Sequence, residues 1–184
     1  QWSSSAASDV YKRQLLICGL AEEATRMIGG DIDLIKTGAL YHDIGKLHAP
    51  NWFIENQDGS KNPHDEIDDP IKSAQVLQAH VDEGLRFARK NRLPQLIANF
   101  IPEHQGTLRM GYFLNKAKEK KLDVMENDFR YKGPIPQSKE TAILMLADGC
   151  EAALRAMDIN ASDKQALETI SVIINSRFTD GQLK

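Results

Sequence analysis

In Ile32-Asp33-Leu34-Ile35-Lys36-Thr37-Gly38-Ala39-Leu40-Tyr41-His42-Asp43-Ile44-Gly45-Lys46, an apolar helical run ends on a His and an Asp side by side. Ile32, Ile35, Ala39 and Leu40 recur at helical spacing, and Asp31 stands where an N-cap belongs. Gly45 suits a left-handed helix stop. That leaves Asp43 in the last turn, where a carboxylate opposes the helix dipole by about 0.3–1 kcal/mol and calls for a cation. Imidazole nitrogen beside carboxylate oxygen suits zinc, iron or manganese.

The same periodicity extends outward. Leu15, Leu16, Cys18, Ala21, Ala24 and Ile28 form a stripe closed by Gly29-Gly30. Ahead of it, residues 1–13 are small and polar without period. They read as a non-native or disordered segment, with the domain running over 14–184. They are no signal peptide, for the charged start and apolar centre are missing. Pro50 to Glu55 predicts a short helical turn, and the polar stretch Asn56 to Asp69 a loop long enough to be functional. Asp69-Pro70 opens a helix through Ile71, Ala74 and Leu77 to His80 and on to Ala88. Further helices are expected at Leu96–Phe100, Met110–Lys121 and Ala142–Met157, and after a Ser162 cap to Phe178. No alternating strand pattern appears, so the fold class is all-α, an irregular helical bundle.

Composition agrees with one soluble globular domain. Of 184 residues, 27% are charged and 41% apolar, with a formal net charge of −3. That balance excludes a nucleic-acid polymer as the natural partner. No apolar run reaches the ~20 residues of a membrane span. Cys18 and Cys150 stand far apart outside any CxxC and read as reduced core thiols.

Three further residues join His42 and Asp43. His80 lies in a strongly apolar helix, and His104 precedes a glycine turn. Asp148 sits inside Ile143-Leu144-Met145-Leu146-Ala147-Asp148. A buried carboxylate needs a cation or a metal, and Arg155 is the nearest cation in sequence. Helical bundles build metal sites from such side chains on facing helices.

Six motifs in order carry a resemblance: Tyr41-His42-Asp43-Ile44-Gly45-Lys46, Phe53-Ile54-Glu55-Asn56-Gln57, Asn62-Pro63-His64-Asp65, Glu103-His104-Gln105-Gly106-Thr107, Asp128-Phe129-Arg130-Tyr131 with Gly133-Pro134-Ile135-Pro136-Gln137, and Asp180-Gly181-Gln182-Leu183. From about Leu15 onward the chain resembles the HD superfamily of metal-dependent phosphohydrolases. Within it, the chain is most similar to the intracellular HD domain of seven-transmembrane-receptor HD proteins, the PgpH-like group. The resemblance implies an HD-domain bundle and a divalent transition metal, iron or manganese, as one ion or two. The implied activity is a cyclic-dinucleotide phosphodiesterase that opens cyclic di-AMP to pApA. It also implies a parent protein anchored in the membrane through a part outside this chain, with this domain on the cytoplasmic face. A homodimer is left open.

By the same resemblance, Asp43 would bridge two metals, with His42 and Asp148 completing one site and His80 and His104 the other. Two imidazoles of the family pattern are missing, since Arg13 and Gln105 stand in their places. Gln105 would offer an amide oxygen, and the ion at His42 and Asp148 would be the weaker. Asp43 is the central catalytic residue, and Lys46 would contact a phosphate. Arg130 and Arg155 are further phosphate candidates. Tyr131 or Trp52 would stack on adenine, and His64 would face the mouth of the site. His48 receives no role. Two alternatives stay open: hydrolysis of guanosine tetraphosphate, a dNTP or cyclic di-GMP, or a metal-poor domain that senses a nucleotide. Gly111-Tyr112-Phe113 lacks the Gly-Tyr-Pro of the cyclic di-GMP branch.

Overall fold

Gly29, at φ +74°, turns the chain between its first two helices. A computed structural model describes residues 4–57, 61–158 and 160–183. Helix α1 (Ser4–Ile28) runs without a break through residue 13, where the sequence suggested a boundary. Residues 1–3 of that suspected tail lie outside the described residues. Asp31 accepts the Leu34 N–H at 2.9 Å and starts α2 (Ile32–Tyr41), as its short polar side chain predicts.

The stretch expected to be loop contains a short helix, α3 (Pro63–Ile67). Asn62 caps it and Pro63 fills its first position, a start signal that the polar composition obscured. Asp69 accepts from the amides of Ile71 and Lys72 and opens α4 (Pro70–Lys90). Two single-turn helices follow, α5 (Gln95–Ala98) and α6 (Phe100–Glu103), then α7 (Gly111–Glu119). Ser138 and Thr141 form a reciprocal cap at the start of α8 (Lys139–Arg155), and Ser162 and Gln165 do the same for α9 (Asp163–Thr179). No strand occurs among the described residues, only an isolated bridge between Arg109 and Arg130. The all-α expectation holds.

One core joins α1, α2, α6 and α8 through Ile17, Ala21, Ile35, Ala39, Phe100, Ile143 and Leu144. Gly38 makes this possible, since a Cβ there would lie 2.5 Å from the Phe100 ring. A second core joins α4 and α7 through Ala74, Phe113, Leu114, Ala117 and Phe129. A third links α4 to α5 and α6 through Ala88, Ala98 and Ile101.

Gly45 corrects the sequence reading. It is not among the residues with positive φ, and the chain leaves α2 at His42 into a 3-10 turn, Ile44–His48. Glycine is required there for another reason. A Cβ at residue 45 would stand 1.8 Å from the His80 carbonyl oxygen and 2.5 Å from the Gly84 nitrogen. The turn after His42-Asp43 therefore lies directly on the α4 backbone beside His80. We expect Gly45→Ala to cost about 3 kcal/mol, the upper part of the overpacking range, because backbone cannot move aside as a side chain does. For a chain of this size that lowers Tm by roughly 6–12 °C. Calorimetry that finds Tm unchanged would contradict the close approach.

Candidate metal centre

Backbone carbonyls set the tautomers of three buried histidines. The Nδ1–H of His42 donates to the Ala39 carbonyl at 2.7 Å, that of His80 to Leu77 at 2.5 Å, and that of His104 to Phe100 at 3.0 Å. A carbonyl only accepts, so each ring carries a proton on Nδ1 and, in its neutral form, presents a lone pair at Nε2. His42 reaches the cluster as the last residue against α2, His80 from the middle of α4, and His104 from the end of α6.

The three Nε2 atoms gather around Asp43. His42 Nε2 lies 3.2 Å from Asp43 Oδ2, while His104 and His80 Nε2 lie 3.5 and 3.8 Å from Asp43 Oδ1. His42, Asp43 and His104 each bring one ligand atom within 4.8 Å of the others. The Nε2 atoms of His42 and His80 and Oδ1 of Asp43 are buried without any hydrogen-bond partner. Buried polar atoms left unpaired and converging on one point fit a divalent cation, and neutral imidazole oriented by a carbonyl is the form metals bind. Burial, with Lys46 and His104 nearby, pushes the His80 imidazole down to about 3, so it is neutral at ordinary pH. Burial would raise the Asp43 carboxyl, but His42 and Lys46 beside it hold it well below the usual carboxylate range, while Asp43 in turn outweighs burial and raises the His42 imidazole above its ordinary value.

Asp148 does not join this group. Arg13 takes it instead, at 2.9 Å from Nη2 to Oδ1, and also binds Glu55 at 3.0 Å and Glu151 at 2.8 Å. The cation expected from Arg155 is supplied by Arg13, because Arg155 pairs with Glu151 one turn back on its own helix. The pairing of ligands also differs from the sequence expectation: His42 groups with His104 rather than with Asp148. Lys46 Nζ donates to Asp43 Oδ2 at 2.6 Å and to Glu55 Oε1. Two cations thus stand among Asp43, Glu55, Asp148 and Glu151. Gln105 turns its amide nitrogen, not the amide oxygen expected as a ligand, to His104, Nε2 to Nε2 at 3.0 Å.

Several substrate candidates take other work. Arg130 binds Glu126 and Asp180 and donates to the Thr107 carbonyl at 2.9 Å, so its guanidinium is occupied in tying α9 to the turns before it. Arg155 is exposed on α8. Tyr131 lies edge-on to His80 at 5.9 Å and packs on the second core. His64 is buried, not loop polarity: its Nε2–H donates to the Trp52 carbonyl at 2.8 Å, and its ring meets Trp52 and Phe113. His64 does line a cavity of about 470 Å³ with Trp52, Phe53, Leu77, Tyr112 and Phe113. Phe53 sits 5.5 Å from the His80 ring, and Glu55 lines the cavity too, so this space adjoins the histidine cluster.

Sequence reasoning missed Glu55, Glu151 and Glu103. Glu103 is buried and accepts from Thr141 Oγ1 at 2.7 Å and from the Gln137 amide at 2.8 Å, which pins the residue before His104 to the start of α8. Each lies in or beside a quoted motif, but a lone Glu on a helix carries no signal until its partners are known.

A family model for the HD domain matches residues 10–153. A Synechocystis protein described as uncharacterized is 47% identical over 183 residues, covering 97% of this chain and 22% of that protein. The cyclic-di-AMP phosphodiesterase PgpH of Listeria monocytogenes is 39% identical over 176 residues, 96% of this chain and 24% of PgpH. The chain thus spans less than a quarter of the length of these relatives. The crystal structure of the L. monocytogenes PgpH HD domain in complex with cyclic-di-AMP matches with a TM-score of 0.90 at 39% identity, covering 95% of this chain and 81% of that one. A further crystal structure of the L. monocytogenes PgpH HD domain matches with a TM-score of 0.88 at 38% identity, over the same shares of each chain.

Proposed function

The chain belongs to the HD domain family, and from that premise we propose that it is the metal-dependent phosphodiesterase domain of a longer protein, opening cyclic di-AMP to linear pApA. The observation that carries this is the convergence of three carbonyl-oriented imidazoles on Asp43, with the facing Nε2 atoms of His42 and His80 and Oδ1 of Asp43 unpaired. The relatives named for cyclic di-AMP chemistry support the substrate.

We assign His42, Asp43 and His104, with His80 beside them, to hold the ion, which we take as iron or manganese from the mixed nitrogen and oxygen donors. Such an ion supplies Lewis acidity toward the phosphodiester and its attacking water. The protein's part is positioning. The three imidazoles stay oriented by the Ala39, Leu77 and Phe100 carbonyls, and His80, held neutral by burial, need lose no proton when the ion arrives. Lys46, poised between Asp43 and Glu55, would turn its ammonium to a phosphate oxygen. Asp148, released from Arg13, would complete a second metal position. The cavity between Trp52 and Tyr112 would take a nucleobase by stacking. No described helix is long and apolar enough to cross a membrane. We place membrane attachment in a part of the parent outside this chain, with this domain on its cytoplasmic face.

A second reading, nucleotide sensing without turnover, is favoured by Arg13 on Asp148, which withholds that carboxylate from a metal. Hydrolysis assays with added manganese separate the readings. Conversion of cyclic di-AMP to pApA, with cyclic di-GMP, guanosine tetraphosphate and dNTPs left intact, supports the first. Binding without conversion supports the second, and preference for another nucleotide overturns both assignments of substrate.

The cavity gives its own expected result. Tyr112 is two-thirds exposed at its edge. Tyr112→Ala should weaken cyclic di-AMP binding by roughly 5–100-fold, the worth of one stacked base at ~1–3 kcal/mol. Metal content should not change. Titration calorimetry showing equal affinity in the variant would remove the base from this cavity.

A further inference from the structure

Arg177 is a half-buried cation whose nearby carboxylates are all taken. Its Nε is buried with no hydrogen-bond partner among the described residues, and Nη1 donates to Ser176 Oγ at 3.3 Å. The negative groups whose field reaches it are Asp148, Asp180 and Cys150. Asp148 is bound by Arg13 at 2.9 Å. Asp180 is bound by Arg130 at 3.0 and 3.2 Å and also accepts from Gln182. Cys150 is a free thiol that burial keeps protonated. Burying a charge without a partner is costly, so evolution rarely leaves one without a task.

The surroundings say what that task is. Arg177 lines a cavity of about 310 Å³ with Leu108, Arg109, Ser176, Thr179 and Asp180. Arg109, half-exposed, brings a second guanidinium that meets Glu126 at 3.4 Å. On its other side the Arg177 guanidinium rests on α8 at Gly149. A Cβ there would stand 3.3 Å from Nη2, so the glycine admits the arginine one residue from Asp148. The Ser176 and Thr179 hydroxyls donate to helix carbonyls and leave the recognition to the two arginines.

We propose that Arg177, with Arg109 across the cavity, forms a phosphate-binding site between α9 and the turn that leads into α7. A planar guanidinium with free N–H groups offers paired donors to phosphate oxygens, and the anion would neutralise the buried charge. The ligand is a phosphoryl group, carried by a nucleotide or free in solution. The proposal rests on the nucleotide reading above only for the source of that group.

The test uses metal-free protein, so it stands apart from catalysis. Inorganic phosphate is titrated by calorimetry at constant ionic strength, with chloride as the balancing salt. Wild-type protein should bind it, and Arg177→Met should bind about 10-fold more weakly or worse, since charge-assisted hydrogen bonds are lost. AMP should compete with phosphate and adenosine should not. The Arg177→Met protein without phosphate should melt at the wild-type temperature or above it, because an unpaired charge leaves the interior. Equal phosphate affinity in the two proteins, no binding to wild type, or competition by adenosine overturns the site. Should Arg177→Met fail to fold, Arg177→Lys keeps the charge without the fork and should still weaken phosphate binding. Absence of cyclic di-AMP hydrolysis with manganese, alongside intact phosphate binding, would count against the phosphodiesterase reading and leave this one standing.

Discussion

Asp43→Ala should strip the domain of bound divalent metal and of any phosphodiesterase activity, while circular dichroism and Tm should stay close to wild type. Three imidazole nitrogens face this one carboxylate at 3.2 to 3.8 Å, so no other side chain can hold their shared centre. Loss of partners one step out from a metal already costs ~10–100-fold in affinity, and loss of the central ligand should exceed that. The fold tolerates the change because Asp43 Oδ1 has no structural hydrogen bond to lose, and Lys46 keeps Glu55 as its acid. Elemental analysis of the purified variant is the measurement. Metal content equal to wild type would remove Asp43 from the centre. Collapse of the fold would instead assign it a structural role, which Asp43→Asn, similar in shape but uncharged, would separate from ligation.

What could be read before the structure, and what could not, follows from the range of each signal. His42 and Asp43 announce themselves because both sit where one helix stops, and their neighbours in sequence are their neighbours in space. The caps at Asp31, Asp69 and Ser162 are equally local, and they appear where the sequence places them. His80 and His104 carry the helical stripe of a core residue, so their place at the centre came with the family pattern rather than from periodicity. Gly45 was read by its commonest use, a left-handed stop. Its actual use depends on the α4 backbone, far away in sequence. Arg130 and Arg155 were chosen as phosphate ligands because cations near motifs invite that reading. Glu126, Asp180 and Glu151, which occupy them, lie at helix spacing or across the bundle. Arg177 escaped notice for the converse reason: its significance is the lack of a free acid nearby, a property no sequence window contains.

Arg13→His should raise both metal content and rate. The present Arg13 joins Glu55, Asp148 and Glu151. Those acids in turn hold its guanidinium charged far beyond the ordinary range, so it cannot lose a proton to become a ligand. While it stays there, Asp148 has no free oxygen on that side for a cation, and a divalent ion beside it would meet its charge. Hence the domain as it stands should hold about one ion tightly, at His42, Asp43 and His104, and turn over cyclic di-AMP slowly or not at all. A neutral imidazole at residue 13 changes three things together. It removes the competing charge, frees Asp148, and adds a nitrogen donor to the same place. The gain should be at least ~10-fold in affinity for the second ion, by the same scale as above. It is read by calorimetric titration of manganese and by pApA release. Two ions already bound per chain with Arg13 in place would refute the argument. An Arg13→His chain that gains no second ion would show that the loss of imidazole at Gln105, not the charge at residue 13, limits the centre.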